Sequence, residues 1–511
     1  MESSGKVESS IELHSVDKLF SLYGGWIIIA HTAHLTGDLD PIKRNINLAI
    51  LNLLKRYPRM RSQLRCDDFR RFLDVFEYDE NFLNPRLFYS IDETNTQTWQ
   101  EVVDDVCNRN PFNNGVKTIF PLFHFKILVE HQKNQHGEQV FHLILFSNHS
   151  TSDGRSGLIL INDLLTLVTT DQLEQHVESV NTQIVPSVVT FTPRPYGIFY
   201  PIMARLAGLL IKHQLRSLRN LRIPVKSQPL PNQSTTYQIP PVKTNFLFTS
   251  TSSTLYSRLH EKCKSHQVTL HGPLLACLFL AIDQIFPMQK MSKGYLNPWN
   301  VDVDFDLRSR IPNSPLTRQS VGFFVGIGTV KNTKRSSLRS TNFWRLAAKC
   351  VSITNKLVEN GEVFMSSHMF KRIFQTERRA NVLLQNAPDG RVGELNFSNI
   401  GKYPYNTNYN QGQIKLRGLH VVNNGSTVRV SAVVLITCAG DGQFDISLAH
   451  EIETQEKAQE FLNYYIQLIE TCADSDGNIT LQELINRASS SSNMELHEQV
   501  LETAPNAKVA S

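Results

Sequence analysis

The chain of 511 residues lacks most of the patterns that mark metal, nucleotide and disulfide proteins. Its seven cysteines (66, 107, 263, 277, 350, 438 and 472) are scattered and odd in number, and none form a C-x-x-C pair. That argues against a disulfide framework and a cysteine zinc site, and it fits a reducing compartment. No H-E-x-x-H spacing, no P-loop and no G-x-G-x-x-G after a strand-like run occurs, so no dinucleotide or zinc-protease fingerprint is present. Asp474-Ser475-Asp476-Gly477-Asn478 opens like a calcium loop. Its sixth and twelfth positions hold Ile479 and Ile485 instead of the required glycine and bidentate glutamate, so no metal is expected. No apolar run reaches the roughly 18 residues a spanning helix needs. The longest, 196–211, is interrupted by Pro201 and Arg205. The first twenty residues are polar and lack the apolar core of a signal peptide. The expectation is a soluble, cytoplasmic protein.

What is present is ordinary globular material. Hydrophobic residues make up 41% and charged residues 19%. That excludes global disorder, and the length predicts two or three domains. Lys plus Arg is 52 and Asp plus Glu is 47, a net charge of +5 that does not point to nucleic acid.

Along the chain, residues 26–29 read as a strand leading to a turn at Thr36-Gly37-Asp38. Pro41 to Tyr57 is a helix, with Ile42, Ile46, Ala49, Ile50, Leu53 and Leu54 at helical spacing and Pro58 as its stop. Residues 120–130 and 139–147 are paired or neighbouring strands, and 158–168 is a helix. In the second part, 269–286 and 454–472 are helices, and 300–307, 321–330, 428–438 and 443–449 are strands. A stretch rich in Pro, Gln, Ser and Thr at 227–244 is the linker. It divides the chain into halves at 11–226 and 245–488, with a loose tail at 489–511. Strands and helices mix in both halves, so the fold class is α/β (α+β) twice over.

The segment that carries chemistry is Asn148-His149-Ser150-Thr151-Ser152-Asp153-Gly154, at a strand-to-helix turn. A histidine on a loop held by two rigid elements can act as a placed base, because its ordinary pKa lies near neutrality. Asp153 stands where it would cap the following helix, and Gly154 stands where backbone must pass close to another segment.

The segment resembles the H-H-x-x-x-D-G signature of the chloramphenicol-acetyltransferase-like superfamily, in its condensation-domain and alcohol-acetyltransferase branch. Other stretches are similar to that family in the right order, from about residue 15 to 485. They are Leu35-Thr36-Gly37-Asp38-Leu39-Asp40, Arg56-Tyr57-Pro58-Arg59-Met60-Arg61, Thr269 to Ala276, Asp306-Leu307-Arg308, Val321 to Gly326, and Asn396-Phe397-Ser398-Asn399-Ile400-Gly401.

The resemblance implies two pseudo-equivalent acetyltransferase-like halves meeting at an active-site tunnel. It implies acyl transfer from acyl-CoA to an alcohol or amine. His149 would be the general base, transfer would be direct with no acyl-enzyme, and no cofactor would be tightly bound. Asp153 is implied to pair with Arg308, with Arg310 as competitor, while a plain helix cap is the alternative. Ser398 and Asn399 are candidates for holding the oxyanion, against a turn that merely closes a strand. Asn148 departs from the pattern at the first histidine, which favours ester over peptide formation. A condensation enzyme with a carrier-bound donor, and a non-catalytic protein keeping the fold, are the other readings. A monomer is the simplest assembly.

Acid is absent from Ser179 to His260, where nine Lys or Arg occur. Written as a helix, 203–221 places Arg205, Lys212, Arg216 and Arg219 on one face. With Arg222 this segment, 203–222, is a candidate for peripheral membrane contact or for drawing in coenzyme A, and otherwise a surface helix packed on the core.

Overall fold

The computed structural model describes residues 5–22, 26–80, 83–94, 96–109, 121–170, 184–194, 197–199, 202, 222–225, 243–287, 294–332, 335–387, 390–425, 429–440 and 442–490. Nearly all of the basic segment 203–222, most of the linker 227–244 and the last residues of the tail lie outside them.

Local sequence sets the element ends. Helix α1 (Val16–Leu19) is a single turn ahead of the first long strand. Helix α2 (Asp40–Arg56) carries Pro41 in its first turn, where the missing N–H costs nothing, and stops at an extended Tyr57 before Pro58. Helix α3 (Trp99–Asn108) opens on a capping box between Thr98 and Glu101. Helix α4 (Gly154–Val168) begins directly after Asp153. It is longer at its N-terminus than the apolar spacing at 158–168 predicts, because the cap sits among small polar residues.

Strands β1 (Val7–Glu12), β3 (Ser62–Asp67) and β4 (Arg70–Phe76) make a small antiparallel sheet. The first large sheet holds β2 (Ile28–Gly37), β5 (Tyr89–Asp92), β6 (Phe123–Lys133), β7 (Gln139–Asn148), β14 (Asn408–Tyr409) and β15 (Ile414–Asn423). Its order is β14-β15-β2-β7-β6-β5. The second holds β8 (Asn245–Ser250), β10 (Trp299–Asp306), β11 (Val325–Asn332), β13 (Arg391–Lys402), β16 (Arg429–Ala439) and β17 (Gln443–His450), ordered β11-β10-β13-β16-β17-β8. A two-stranded ribbon of β9 (Tyr295–Leu296) and β12 (Ser336–Ser337) completes the strands described.

Each large sheet packs one face on its own helices. Ile42, Ile50 and Leu53 of α2 and Ile159 and Leu160 of α4 belong to the first core. The helices His271–Ile285, Phe343–Glu359 and Gln455–Asp474 supply the second. The chain crosses between sheets: β15, from the second half of the sequence, pairs antiparallel with β2 in the first sheet. The Ile28 amide donates to Asn424 Oδ1 at 2.7 Å. Three histidines extend the lacing. His142 contacts Glu130 at 2.6 Å, His34 lies 2.9 Å from His142 and 2.7 Å from His420, and His420 reaches the Thr249 carbonyl on β8 at 3.1 Å.

Two strand expectations change in extent. The strand expected at 26–29 runs from Ile28 to Gly37 as β2. The strand expected at 321–330 starts only at Val325, because the backbone before it is drawn onto the helix α4 cap. Asp474 ends a helix, and after a turn a second helix occupies 481–490, overlapping the first residues assigned to the tail. No helix among the described residues is long and apolar enough to cross a membrane.

Candidate active site

The turn from β7 into α4 is made rigid by its own polar side chains. Asn148 Oδ1 accepts from the Ser150 amide at 2.9 Å, and the Thr151 hydroxyl donates to the Asn148 carbonyl at 2.7 Å. His149 follows from β7 with its amide on the Ile27 carbonyl at 2.9 Å. Its Nδ1–H donates to the Ser152 carbonyl at 2.7 Å. A carbonyl can only accept, so the proton of the neutral ring sits on Nδ1 and the lone pair on Nε2.

Two rings clamp the imidazole. Phe20, just past α1, stacks on it at 4.8 Å, and Phe323 meets it edge-on at 5.3 Å. Burial lowers the pKa of His149 below the ordinary histidine value, with the Ser152 carbonyl and the Asp153 charge pulling the other way.

Asp153 is saturated. Oδ1 accepts from the Ser156 amide at 2.8 Å and from Arg308 at 2.9 Å. Oδ2 accepts from Arg308 at 3.0 Å and from the Phe324 amide at 2.9 Å. It is therefore both the helix cap and the partner of Arg308, so the two alternatives are one arrangement. Burial pushes this carboxyl up, but the guanidinium and the donated hydrogen bonds outweigh it and hold it below its ordinary value. Arg308 also donates to Ser320 O, to Asp306 and to the Ser156 hydroxyl. Arg310 sits apart, donating to the Asp306 carbonyl at 3.1 Å.

Gly154 stands where the halves touch: a Cβ there would lie 3.1 Å from Cδ1 of Ile400 on β13. Ser398 and Asn399 precede Ile400 on that strand, where the pairing with β16 shifts register. Ser398 lies near enough to Asp304 of β10 to favour that carboxyl's ionised form.

Several contributors have no signal in the motif. A Cβ at Gly157 would come within 2.2 Å of the His31 ring, so this glycine gives His31 its place, with Nε2–H on the Gly154 carbonyl at 3.0 Å. Ser156 bridges α4 to Gly322 in both directions, at 2.8 and 3.0 Å. The Arg59 guanidinium lies over the Phe324 ring and donates to the Val185 carbonyl. The second glycine in S-D-G-R-S-G was visible in the sequence. The partners, far off in the chain, were not. Among the described residues no group of three or more His, Cys, Asp or Glu is arranged to hold a metal ion.

A family model described as alcohol acetyltransferase matches residues 88–469. No curated protein sequence gives a significant match. Among solved structures, the fold is similar to TRI3 trichothecene 15-O-acetyltransferase from Fusarium sporotrichioides, with TM-score 0.66, 11% identity, and 91% of this chain and 95% of that one covered. It is also similar to polyketide synthase associated protein 5 from Mycobacterium tuberculosis, with TM-score 0.55, 15% identity, and 91% and 99% covered. The first condensation domain of the calcium-dependent antibiotic synthetase gives TM-score 0.57 at 10% identity, with 94% and 99% covered. At these identities the likeness shows the two-lobed fold.

Proposed function

Because this chain belongs to the alcohol acetyltransferase family, whose chemistry is acyl transfer, we propose that it moves an acyl group from acyl-CoA to an alcohol or amine with His149 as general base. The observation that carries the reading is the Nδ1–H bond to the Ser152 carbonyl, which leaves Nε2 basic in a loop that Asp153 and Arg308 hold in place.

Nε2 takes the proton of the acceptor hydroxyl as its oxygen bonds to the thioester carbonyl carbon. The carbon–sulfur bond of the tetrahedral intermediate then breaks, and the imidazolium returns the proton to the leaving thiolate. The products are an ester and free thiol, and the histidine is regenerated. A placed base contributes roughly 10²–10⁴-fold, and holding both substrates in one tunnel adds the proximity gain. Oxyanion donors are sought at Ser398 and Asn399. The acyl-CoA is a substrate, and no resident cofactor takes part. A cytoplasmic monomer, with halves at 11–226 and 245–488, is part of the same reading.

The test is thiol release from acetyl-CoA and a longer acyl-CoA against a panel of alcohols and amines, with His149→Ala beside wild type. Acceptor-dependent release that vanishes in the variant supports the reading. Release that persists shows the base is elsewhere. No release with any pair removes the CoA reading, and an acylated carrier protein becomes the donor to try.

A further inference from the structure

Alternation along three strands of the second sheet sorts their side chains onto two faces. Val301, Val303 and Phe305 of β10 and Leu395 and Phe397 of β13 enter the second core. Asp302 and Asp304, Asn396 and Ser398 take the opposite face. That face is turned to the first half: Val433 and Leu435, paired with Asn396 and Ser398, pack into the first core. It also runs up to the site. Val325 and Ile327 of β11 pack against the cluster of Val16, Phe20, Ile27 and Phe323, which includes both rings that clamp His149, and Ile400 of β13 meets Gly154. Asp304 lies opposite Ile327 in register. It therefore stands one strand spacing, about 5 Å, from a residue of the row that reaches the catalytic loop.

The polar groups on this face are acceptors without a cation. Asp304 Oδ1 takes the Asn396 amide at 3.0 Å, and the nearby Ser398 side chain favours its ionised form. Asp302 takes the Thr329 hydroxyl at 2.7 Å. Among the described residues neither carboxyl forms a salt bridge. The Asn396 Oδ1 is buried with no hydrogen-bond partner. Desolvation pushes Asp304 up to about 6 and raises Asp302 as well. A wholly apolar acceptor would strip the water from this wall and offer nothing in return, which is the costly way to fill it.

Building on the acyl-transfer reading, we infer that Asp304, held by Asn396, is a specificity-determining residue that takes a second hydrogen-bond donor on the acceptor, either a hydroxyl or an ammonium group beside the hydroxyl that is acylated. The acceptor class is then a diol or an amino alcohol.

The experiment measures kcat/KM for three acceptors of one carbon skeleton (a monohydric alcohol, the diol and the amino alcohol) with one acyl-CoA, in wild type and Asp304→Asn. The expected result is a wild-type preference for the two bifunctional acceptors that collapses by roughly 10- to 100-fold in Asp304→Asn, through acceptor KM and not donor KM. Equal loss for all three acceptors, a rise in donor KM, or no wild-type preference overturns it. A second measurement needs no variant: the amino alcohol to monohydric ratio in wild type must fall as pH drops through about 6, where the carboxylate is neutralised. A flat ratio also overturns it. If wild type transfers to no acceptor, the reading of the site has failed and the inference falls with it.

Discussion

Asp153 and Asp304 are both carboxyls in the region where the two halves meet, yet their charges are pushed in opposite directions. Asp153 has a bidentate guanidinium, two backbone amides and almost no exposure, and it is held ionised below its ordinary range. Asp304 has one amide side chain as hydrogen-bond donor and no cation among the described residues, and burial pushes it up to about 6. Burial raises both; partners decide the outcome. The first carboxylate has spent its capacity on Arg308 and on helix α4, so it serves as framework. The second has accepting capacity left over on the face turned to the first half, and that capacity is what the proposed acceptor contact would use.

Changes at the loop should produce the largest effects. His149→Ala should lower kcat/KM by roughly 10²–10⁴-fold while the circular dichroism spectrum stays native, because the ring packs on Phe20 and Phe323 without holding the sheets together. Asp153→Ala leaves Arg308 buried without its main counter-charge and should cost about 3–5 kcal/mol in denaturant unfolding. Replacing both, as Asp153→Leu with Arg308→Met, should cost less than the single change; a double variant as unstable as the sum would contradict a mutual pair.

Smaller effects lie further out. Gly157→Ala drives a methyl against His31 in a packed interior and should cost about 1–3 kcal/mol, visible as a lowered Tm. The acid limb of the pH–rate profile should fall below the ordinary histidine value of about 6.5, because burial depresses the His149 pKa and the active form is the neutral ring. A limb at or above that value would mean another group titrates.

Stability against pH should separate the two carboxyls. Asp153, with a lowered folded value, contributes stability that is present above the ordinary carboxyl range and lost as pH falls through its own lower value. Asp304, with a raised folded value, works the other way: its ionised form is penalised above about 6, and the penalty is relieved as pH falls from there towards the ordinary range near 4. Asp304→Asn should therefore raise Tm relative to wild type more at pH 7.5 than at pH 5. An equal difference at both values would remove Asp304 from the titration.

Much of this was legible locally. Pro41 and Pro58 bracket α2, and alternating residues in Trp299–Asp306 mark a strand with two faces. The spacing from His149 to Gly154, with Asp306-Leu307-Arg308 downstream, carries a family resemblance that the family match supports. What escaped was whatever depends on distant neighbours. Residues 321–324 carry a strand pattern, yet the Gly322 amide and carbonyl go to Ser156 and the Phe324 amide to Asp153, an allegiance no local pattern announces. Phe20 and Phe323 carry no motif and yet enclose His149.

The chain's own order of residues therefore determined the helices, the strands, their caps and the chemistry on offer: a histidine at a strand end, a cap residue that can also pair, and two acids on one strand face. Those follow from backbone geometry and side-chain periodicity, which act over a few residues. Only the tertiary structure decided that Arg308 meets Asp153, that β15 crosses into the first sheet, and that Asp304 faces the other half without a cation. Those outcomes depend on which surfaces desolvate each other, and desolvation is set by neighbours hundreds of residues away.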